Sequence, residues 1–452
     1  MEGELGALLP AWSALPFVGM LLSIALLPLL APLFWHHHFP KVTAGWALVL
    51  LVPFLLAHPH AGWEAVAHTT IVDYVPFLIL IATLFTIGGG IHVRGGLRGT
   101  PAGNATLLAI GTFLASLVGT TGAAMLVIRP LLRANEARRH RAHTVVFFIF
   151  MVANIGGALT PLGDPPLFLG FLHGVPFFWT LAVAPEMLTV GAIVLGVYLL
   201  VDTVQWRRED AIVRERPDGP REPIRLEGAL NLLFLAGVLA AVIASGLWHG
   251  PTVNLLGAQQ QMENLLRDAI LVAMLAGSWL TTPAEVRTAN GFSWGPIREV
   301  AILFAGIFVT IIPVMAALQA GPKGAFAWLL HAVTAGDGAP HEAAYFWLTG
   351  ILSAFLDNAP TYLVFFELAG GDAKSLMGPL AGTLAAISMG AVYMGALTYI
   401  GNAPNLMVYA IASEQGVRMP SFFGYLLWTA CLLVPLFVVL TLLPISPILK
   451  LA

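Results

Sequence analysis

The chain has 452 residues, 58% of them hydrophobic and only 10% charged, with a net charge of -3 and a mean hydropathy of +0.84. A soluble domain carries about 25% charged residues, so this composition excludes a soluble globular protein and offers no basic surface for nucleic acid. It describes an all-α polytopic membrane protein with the lipid bilayer as its solvent. The single cysteine, Cys431, can form no disulfide within the chain and has no second thiol for a metal site. Glu2 and Glu4 stand where a signal peptide would be basic, so no cleaved leader is expected.

A span needs about 20 apolar residues, and apolar runs predict spans near 12–34, 42–57 and 69–91. The run 105–133 is interrupted at its centre by Gly119-Thr120-Thr121-Gly122. Its arms are too short to cross, so a re-entrant hairpin is predicted. Spans follow at 144–173, broken near Gly163-Asp164-Pro165, and at 176–201. The polar stretch 202–227 reads as a linker. Beyond it lie runs at 228–248, 267–281 and 297–318, then a second hairpin at 341–370 with Asp357-Asn358-Ala359-Pro360 at its tip. A broken span at 380–412 and a last span at 420–443 complete the chain. No Walker loop, zinc motif or catalytic triad is present, so an enzyme is not expected.

The two halves repeat. Gly157-Ala158-Leu159-Thr160-Pro161-Leu162-Gly163-Asp164-Pro165-Pro166 returns 238 residues later as Gly395-Ala396-Leu397-Thr398-Tyr399-Ile400-Gly401-Asn402-Ala403-Pro404. Repeated, interrupted hydrophobic segments point to the binding site of a secondary transporter. The hairpin tips, matched as Thr120-Thr121 with Asp357-Asn358, lie 237 residues apart. Each repeat, 1–201 and 228–452, then has five crossings, one of them a broken helix, plus one re-entrant hairpin. An odd number of crossings inverts the second repeat relative to the first.

Charge sets the orientation. With 202–227 inside, 16 of the 21 Lys and Arg fall on its side, among them Arg133, Arg138, Arg139, Arg141, Arg207, Arg208, Arg214 and Arg216. Only Arg267, Lys323, Lys374 and Lys450 fall outside, and Arg129 lies within a hairpin. The positive-inside rule then places both termini outside a bacterial cytoplasmic (inner) membrane.

Asp164 and Asp357 lie at membrane depth, where a charge costs about 2.5–3.5 kcal/mol on insertion scales. Both sit where a helix is already interrupted, and broken helices leave free backbone N–H and C=O groups. Hydroxyl and carboxylate oxygens added there suit a hard cation such as Na⁺. Asp164 and Asp357 are thus the Na⁺ candidates. One expected site comprises Thr120, Thr121, Thr160, Gly163 and Asp164; the other comprises Asp357, Asn358, Thr398, Gly401 and Asn402. A carboxylate that only caps the following half-helix is the competing explanation for each motif alone. Glu186 follows Pro185 and reads as a helix opener. His36-His37-His38 reads as a solvated tract in a short loop, and Arg129 as a snorkelling side chain symmetric with Glu367. Met389, Met394 and Met407 read as packing.

Asn154-Ile155-Gly156-Gly157-Ala158, leading into Pro161-Leu162-Gly163-Asp164, resembles the broken-helix motif of NhaD-type sodium/proton antiporters. Ser353-Ala354-Phe355-Leu356-Asp357-Asn358-Ala359-Pro360 resembles their second-hairpin motif. The layout is similar to the ion transporter superfamily, and closest to a bacterial branch labelled both citrate transporter and sodium/proton antiporter. The resemblance implies a homodimer in which each protomer has a scaffold and a moving transport domain. The first hairpin tip departs from the dicarboxylate carriers, since Thr120-Thr121 lacks their Ser-Asn-Thr signature. Two readings follow. In Na⁺/H⁺ antiport, protons and Na⁺ compete for intramembrane aspartates. In the alternative, Na⁺ or H⁺ couples to uptake of citrate, a dicarboxylate or a related small organic anion. No cofactor is expected beyond Na⁺ as transported or coupling ion.

Overall fold

The computed structural model describes residues 2–95, 98–214, 225–335 and 339–442. Eight helices among them are long and apolar enough to cross a membrane, and a pair bent by 41° at Ile311 reaches that length and apolarity only when taken together. In the first half these begin with Ala11–Leu30 and Pro32–Ala57, and Pro59–Gly88 follows. The histidine tract expected in a loop lies inside Pro32–Ala57. Pro32 opens that helix in the first turn, where the missing N–H costs nothing.

The first hairpin has arms α1 (Pro101–Val118) and α2 (Thr120–Ala134); α1 is one of the eight helices long and apolar enough to cross, against the expectation that both arms would be too short. The Thr100 side chain accepts from Gly103 N–H and caps α1. Gly119 separates the arms with φ 79° and ψ 153°, a conformation available to glycine without a Cβ clash. The broken helix follows as α3 (Ala142–Met151), a 3-10 turn over Ile155–Leu159, and α4 (Pro165–Leu172). The next helix is α5 (Ala184–Arg207). It runs past residue 202, where the linker was expected to start, because Asp202 is buried with partners that neutralise it. Residues 215–224 of that linker, Arg216 included, and Lys450 lie outside the described residues.

The second half opens with α6 (Leu230–Leu247) and α7 (Met262–Thr281). The run expected from 267 starts earlier, with Glu263, Arg267 and Asp268 in its first two turns. Arg267 is buried, pairs with Asp268 at 2.8 Å, and lies over the Phe168 ring of α4 at 5.5 Å. Next come α8 (Gly295–Thr310) and α9 (Ile312–Gln319), the bent pair. The second hairpin has arms α10 (Glu342–Leu356) and α11 (Asn358–Leu368). The second broken helix comprises α12 (Ala381–Met394), a short 3-10 turn, and α13 (Ala403–Glu414). The last helix, α14, is Phe422–Leu442.

The helical class needs one addition. Two antiparallel ribbons lie outside the spans, His92–Arg94 with Arg225–Glu227 and Thr252–Leu255 with Ala258–Gln261.

The hairpin match shifts by one residue. Asp357 has φ 83° and ψ 146°, nearly the values of Gly119, so these two residues correspond and Asn358 corresponds to Thr120. The tips are therefore 238 residues apart, the same offset as the broken-helix motif. The motifs at the tips share no identity that could have fixed this register.

Candidate functional site

Each hairpin rests on the break of its own half. Thr120 N–H donates to Gly163 O at 2.8 Å. Thr160 Oγ1 donates to Ser116 O in hairpin 1, and Thr398 Oγ1 donates to Ala354 O in hairpin 2. The same hydroxyls accept from backbone N–H groups inside their own breaks, Thr160 from Leu162 and Thr398 from Ile400 and Gly401. Thr160 and Thr398 thus pin the interrupted backbone. Gly163 and Gly401 allow its close approach: a Cβ on Gly163 would meet Gly157 O at 2.2 Å, and one on Gly401 would meet Gly395 O at 2.6 Å.

The breaks bring one carboxylate to a centre. Asp164 is 1% exposed. It accepts from Thr120 Oγ1 at 3.1 Å, Asn358 Nδ2 at 2.6 Å and Asn402 Nδ2 at 3.4 Å. Its partners come from hairpin 1, hairpin 2 and the second broken helix. No arginine or lysine is paired with it among the described residues. Partial positive charge comes instead from half-helix N-termini: α2, α4, α11 and α13 all begin beside Asp164 or its partners. Thr121 adds no side chain to the centre. It lines a cavity of about 40 Å³ together with Thr120, Gly163 and Asp164, a space that admits a water-sized guest.

Asn358 and Asn402 therefore serve Asp164. The expected grouping into two sites of one carboxylate each becomes one centre on Asp164, with Asp357 beside Asn358, within electrostatic reach of Asp164 but not hydrogen-bonded to the same amides. The cause is the one-residue shift at the tip, which turns Asn358 inward. Asp357 Oδ1 accepts from Ala359 N–H at 3.2 Å and caps α11. Its side chain lines a second cavity of about 520 Å³ that also holds Arg129, Glu299 and Glu414.

Three residues around the centre carried no assignment from sequence. Asn154 Oδ1 accepts from Asn402 at 3.2 Å, and Asn154 Nδ2 donates to Asn405 Oδ1 at 2.7 Å. Asn405 Nδ2 donates to Gly395 O and Thr398 O, both at 2.9 Å. Ser353 Oγ lies 2.6 Å from Asn358 Oδ1. Asn154 stood in plain view at the head of the first motif, and Asn405 lies one turn past Asn402 on the same helical face. Ser353 heads the second-hairpin motif in the same way.

The remaining candidates lie elsewhere. Glu367 lines a cavity of about 70 Å³ with His68, Asp73 and His173, and His173 Nε2 is 3.8 Å from Asp73. Glu186 is 1% exposed at the start of α5, within electrostatic reach of Tyr393. His36 and His37 are exposed.

Stacked apolar helices, paired hairpins and two interrupted helices closing on a buried carboxylate define the class: a multi-pass membrane transporter. A family model described as "Putative citrate transport" matches residues 6–445, and the chain belongs to that family. It is also similar to "Uncharacterized transporter Mb2703" of Mycobacterium bovis and "Uncharacterized transporter Rv2684" of Mycobacterium tuberculosis. Each is 24% identical over 392 residues, which cover 82% of this chain and 85% of the relative.

Proposed function

We propose that this protein is a Na⁺/H⁺ antiporter of the bacterial inner membrane, with Asp164 as the carboxylate for which Na⁺ and protons compete. In this reading the halves are inverted repeats, both termini face outward, and two protomers form a homodimer. The observation that carries it is a buried carboxylate whose partners are all neutral. A charge at that depth without a fixed cation is stabilised by a mobile one. Thr120, Asn358 and Asn402 hold the carboxylate in position. Asp357 is the second acid, presented to the larger cavity.

The electrostatics of that cavity favour the same reading. Asp357, Glu299 and Glu414 set three carboxylates against the single guanidinium of Arg129. Such a lining concentrates cations and repels polycarboxylates. The second reading, Na⁺- or H⁺-coupled transport of citrate or a related anion, draws on the family description and on Arg129, whose Nη1 is buried without a hydrogen bond. Purified protein in proteoliposomes loaded with a pH dye separates the two. Proton movement on adding Na⁺ or Li⁺ alone is expected under antiport. Movement that requires citrate or a dicarboxylate would replace it with symport.

The Thr120 hydroxyl should matter as an oxygen. Thr120→Ser is expected to keep most transport, whereas Thr120→Val removes a hydrogen bond to a carboxylate worth about 1.5–3 kcal/mol. That corresponds to a loss in apparent Na⁺ affinity of about tenfold or more. Equal behaviour of the serine and valine variants in Na⁺-dependence assays would make the hairpin 1 tip a packing element.

A further inference from the structure

The amides around Asp164 are not equivalent. Asn405 spends both Nδ2 hydrogens on the carbonyls of Gly395 and Thr398, so its Oδ1 must face Asn154. Asn154 Nδ2 is likewise committed, to Asn405 Oδ1 and to Ile149 O at 2.8 Å. Its Oδ1 must then face Asn402, whose Nδ2 points to Asp164 and to Ala153 O at 3.0 Å. Reversing Asn402 would set its oxygen against three acceptors. Asn402 is a locked donor.

Asn358 carries no such lock. Its Nδ2 donates to Asp164 Oδ2, and its Oδ1 faces a hydroxyl, Ser353 Oγ. A hydroxyl both donates and accepts, so it satisfies either end of an amide, and the two ends fill nearly the same space. Ser353 Oγ also lies 2.6 Å from Ala391 O. Its single hydrogen cannot serve Asn358 Oδ1 and Ala391 O together. With Asn358 reversed the conflict vanishes: Nδ2 donates to Ser353 Oγ, and Ser353 donates to Ala391 O. The reversed amide, however, sets its oxygen against Asp164 Oδ2, and two such acceptors must either share a proton on the carboxyl or move apart to bind one cation jointly. Gly395 leaves room for the change, since a Cβ there would meet Asn358 Oδ1 at 2.3 Å. The first repeat has no counterpart. Ala115 stands in the place of Ser353 and Thr120 in that of Asn358.

We propose that Ser353 is a positioning residue that lets the Asn358 amide reverse, presenting N–H to Asp164 when the site is empty and its oxygen to Na⁺ when the site is loaded. This rests on the reading of Asp164 as a cation site. The loaded orientation commits the Ser353 hydrogen to Ala391 O alone, so cation binding is coupled to α12, the helix that leads into the second break. Ser353 touches no ion itself.

The test is Na⁺ affinity of the purified full-length protein, read by calorimetry and by Na⁺-dependent thermal stabilisation. Ser353→Ala is expected to weaken Na⁺ binding about tenfold, the equivalent of one hydrogen bond. Ser353→Thr, which restores the hydroxyl, should bind within about threefold of the wild type. Without Na⁺, Ser353→Ala should already be less stable than Ser353→Thr, because the hydroxyl is hydrogen-bonded in the empty site, and the proposal requires the gap between the two to widen when Na⁺ is added. Gly395→Ala, with a methyl group against the amide, should also weaken Na⁺ binding while Ser353 is intact, and it carries the test if Ser353→Ala does not fold. Wild-type affinity in Ser353→Ala, or in Gly395→Ala, overturns the proposal. Asp164→Asn distinguishes the levels: if it abolishes Na⁺ binding while Ser353→Ala does not alter it, only the amide reversal fails. If Asp164→Asn binds Na⁺ like the wild type, the cation site itself is refuted.

Discussion

Asp164→Asn is expected to abolish Na⁺-driven proton movement in proteoliposomes while leaving a folded, assembled protein. The carboxylate accepts three hydrogen bonds from neutral donors in a site closed to solvent. An amide at the same position keeps the shape but offers one acceptor and one donor end. The donor end fits against Asn358, because that amide can turn its oxygen inward with Ser353 behind it. The Thr120 hydroxyl can continue to donate to the acceptor end. Folding therefore survives, and only the charge proposed to bind Na⁺ is lost. Asn402 shows the fold accommodating an amide at the equivalent position of the other repeat. Exchange at wild-type rates in this variant would refute proton–cation competition at Asp164 and leave anion transport as the better account.

The largest effect on stability is expected at Asp202. It is fully buried on α5 and collects donors from four directions. Arg138 reaches it with both terminal nitrogens, Nη1 at 3.1 Å and Nη2 closer still. His143 Nε2 lies at 2.8 Å, Tyr198 Oη at 3.0 Å and Asn104 Nδ2 at 3.2 Å. These partners stand on both sides of hairpin 1, at the start of the first broken helix and on α5 itself. Asp202→Ala leaves the Arg138 guanidinium buried with its charge uncompensated, at a cost of about 3–5 kcal/mol. The measurement is thermal unfolding in detergent. Asp202→Asn, which keeps hydrogen-bonding oxygen but not charge, should fall between alanine and wild type. An unchanged Tm for the alanine variant would show that Arg138 finds compensation elsewhere. Because this cluster is separate from the Asp164 centre, whatever folded Asp202→Ala protein is recovered should retain its Na⁺ affinity.

The sequence makes the layout legible because membranes restrict backbone choices. Length alone does not separate spans from hairpin arms, since α1 is long and apolar enough to cross, but Gly119, Gly163, Pro165, Gly401 and Pro404 mark where helices are interrupted. The threonines that join each hairpin to its own break follow from the repeat. Three things escaped. Asp202 reads as the start of a polar loop, since burial of an acid depends on Arg138 and His143 arriving from distant parts of the chain. The tip register of hairpin 2 escaped because it is a matter of one backbone angle. A single-residue step at a turn exchanges which side chain faces inward, and so Asn358, not Asp357, meets Asp164. The pairing of Asn402, Asn154 and Asn405 into one amide chain is the third: the residues stand in the motifs, but their contacts join positions up to 251 residues apart.

The backbone of Asp357 has a consequence for how this protein can be changed. Its φ of 83° with ψ of 146° lies in a region sparsely populated by residues with a side chain, and the other repeat answers the same demand with Gly119. Glycine at 357 would relieve that strain, so a selection for thermal tolerance alone would favour it. The same exchange would strip the larger cavity of an acid. Under the proposed antiport, robustness and cation handling pull in opposite directions at this one position, and a stabilised variant intended to stay active would have to seek its gains elsewhere in the chain.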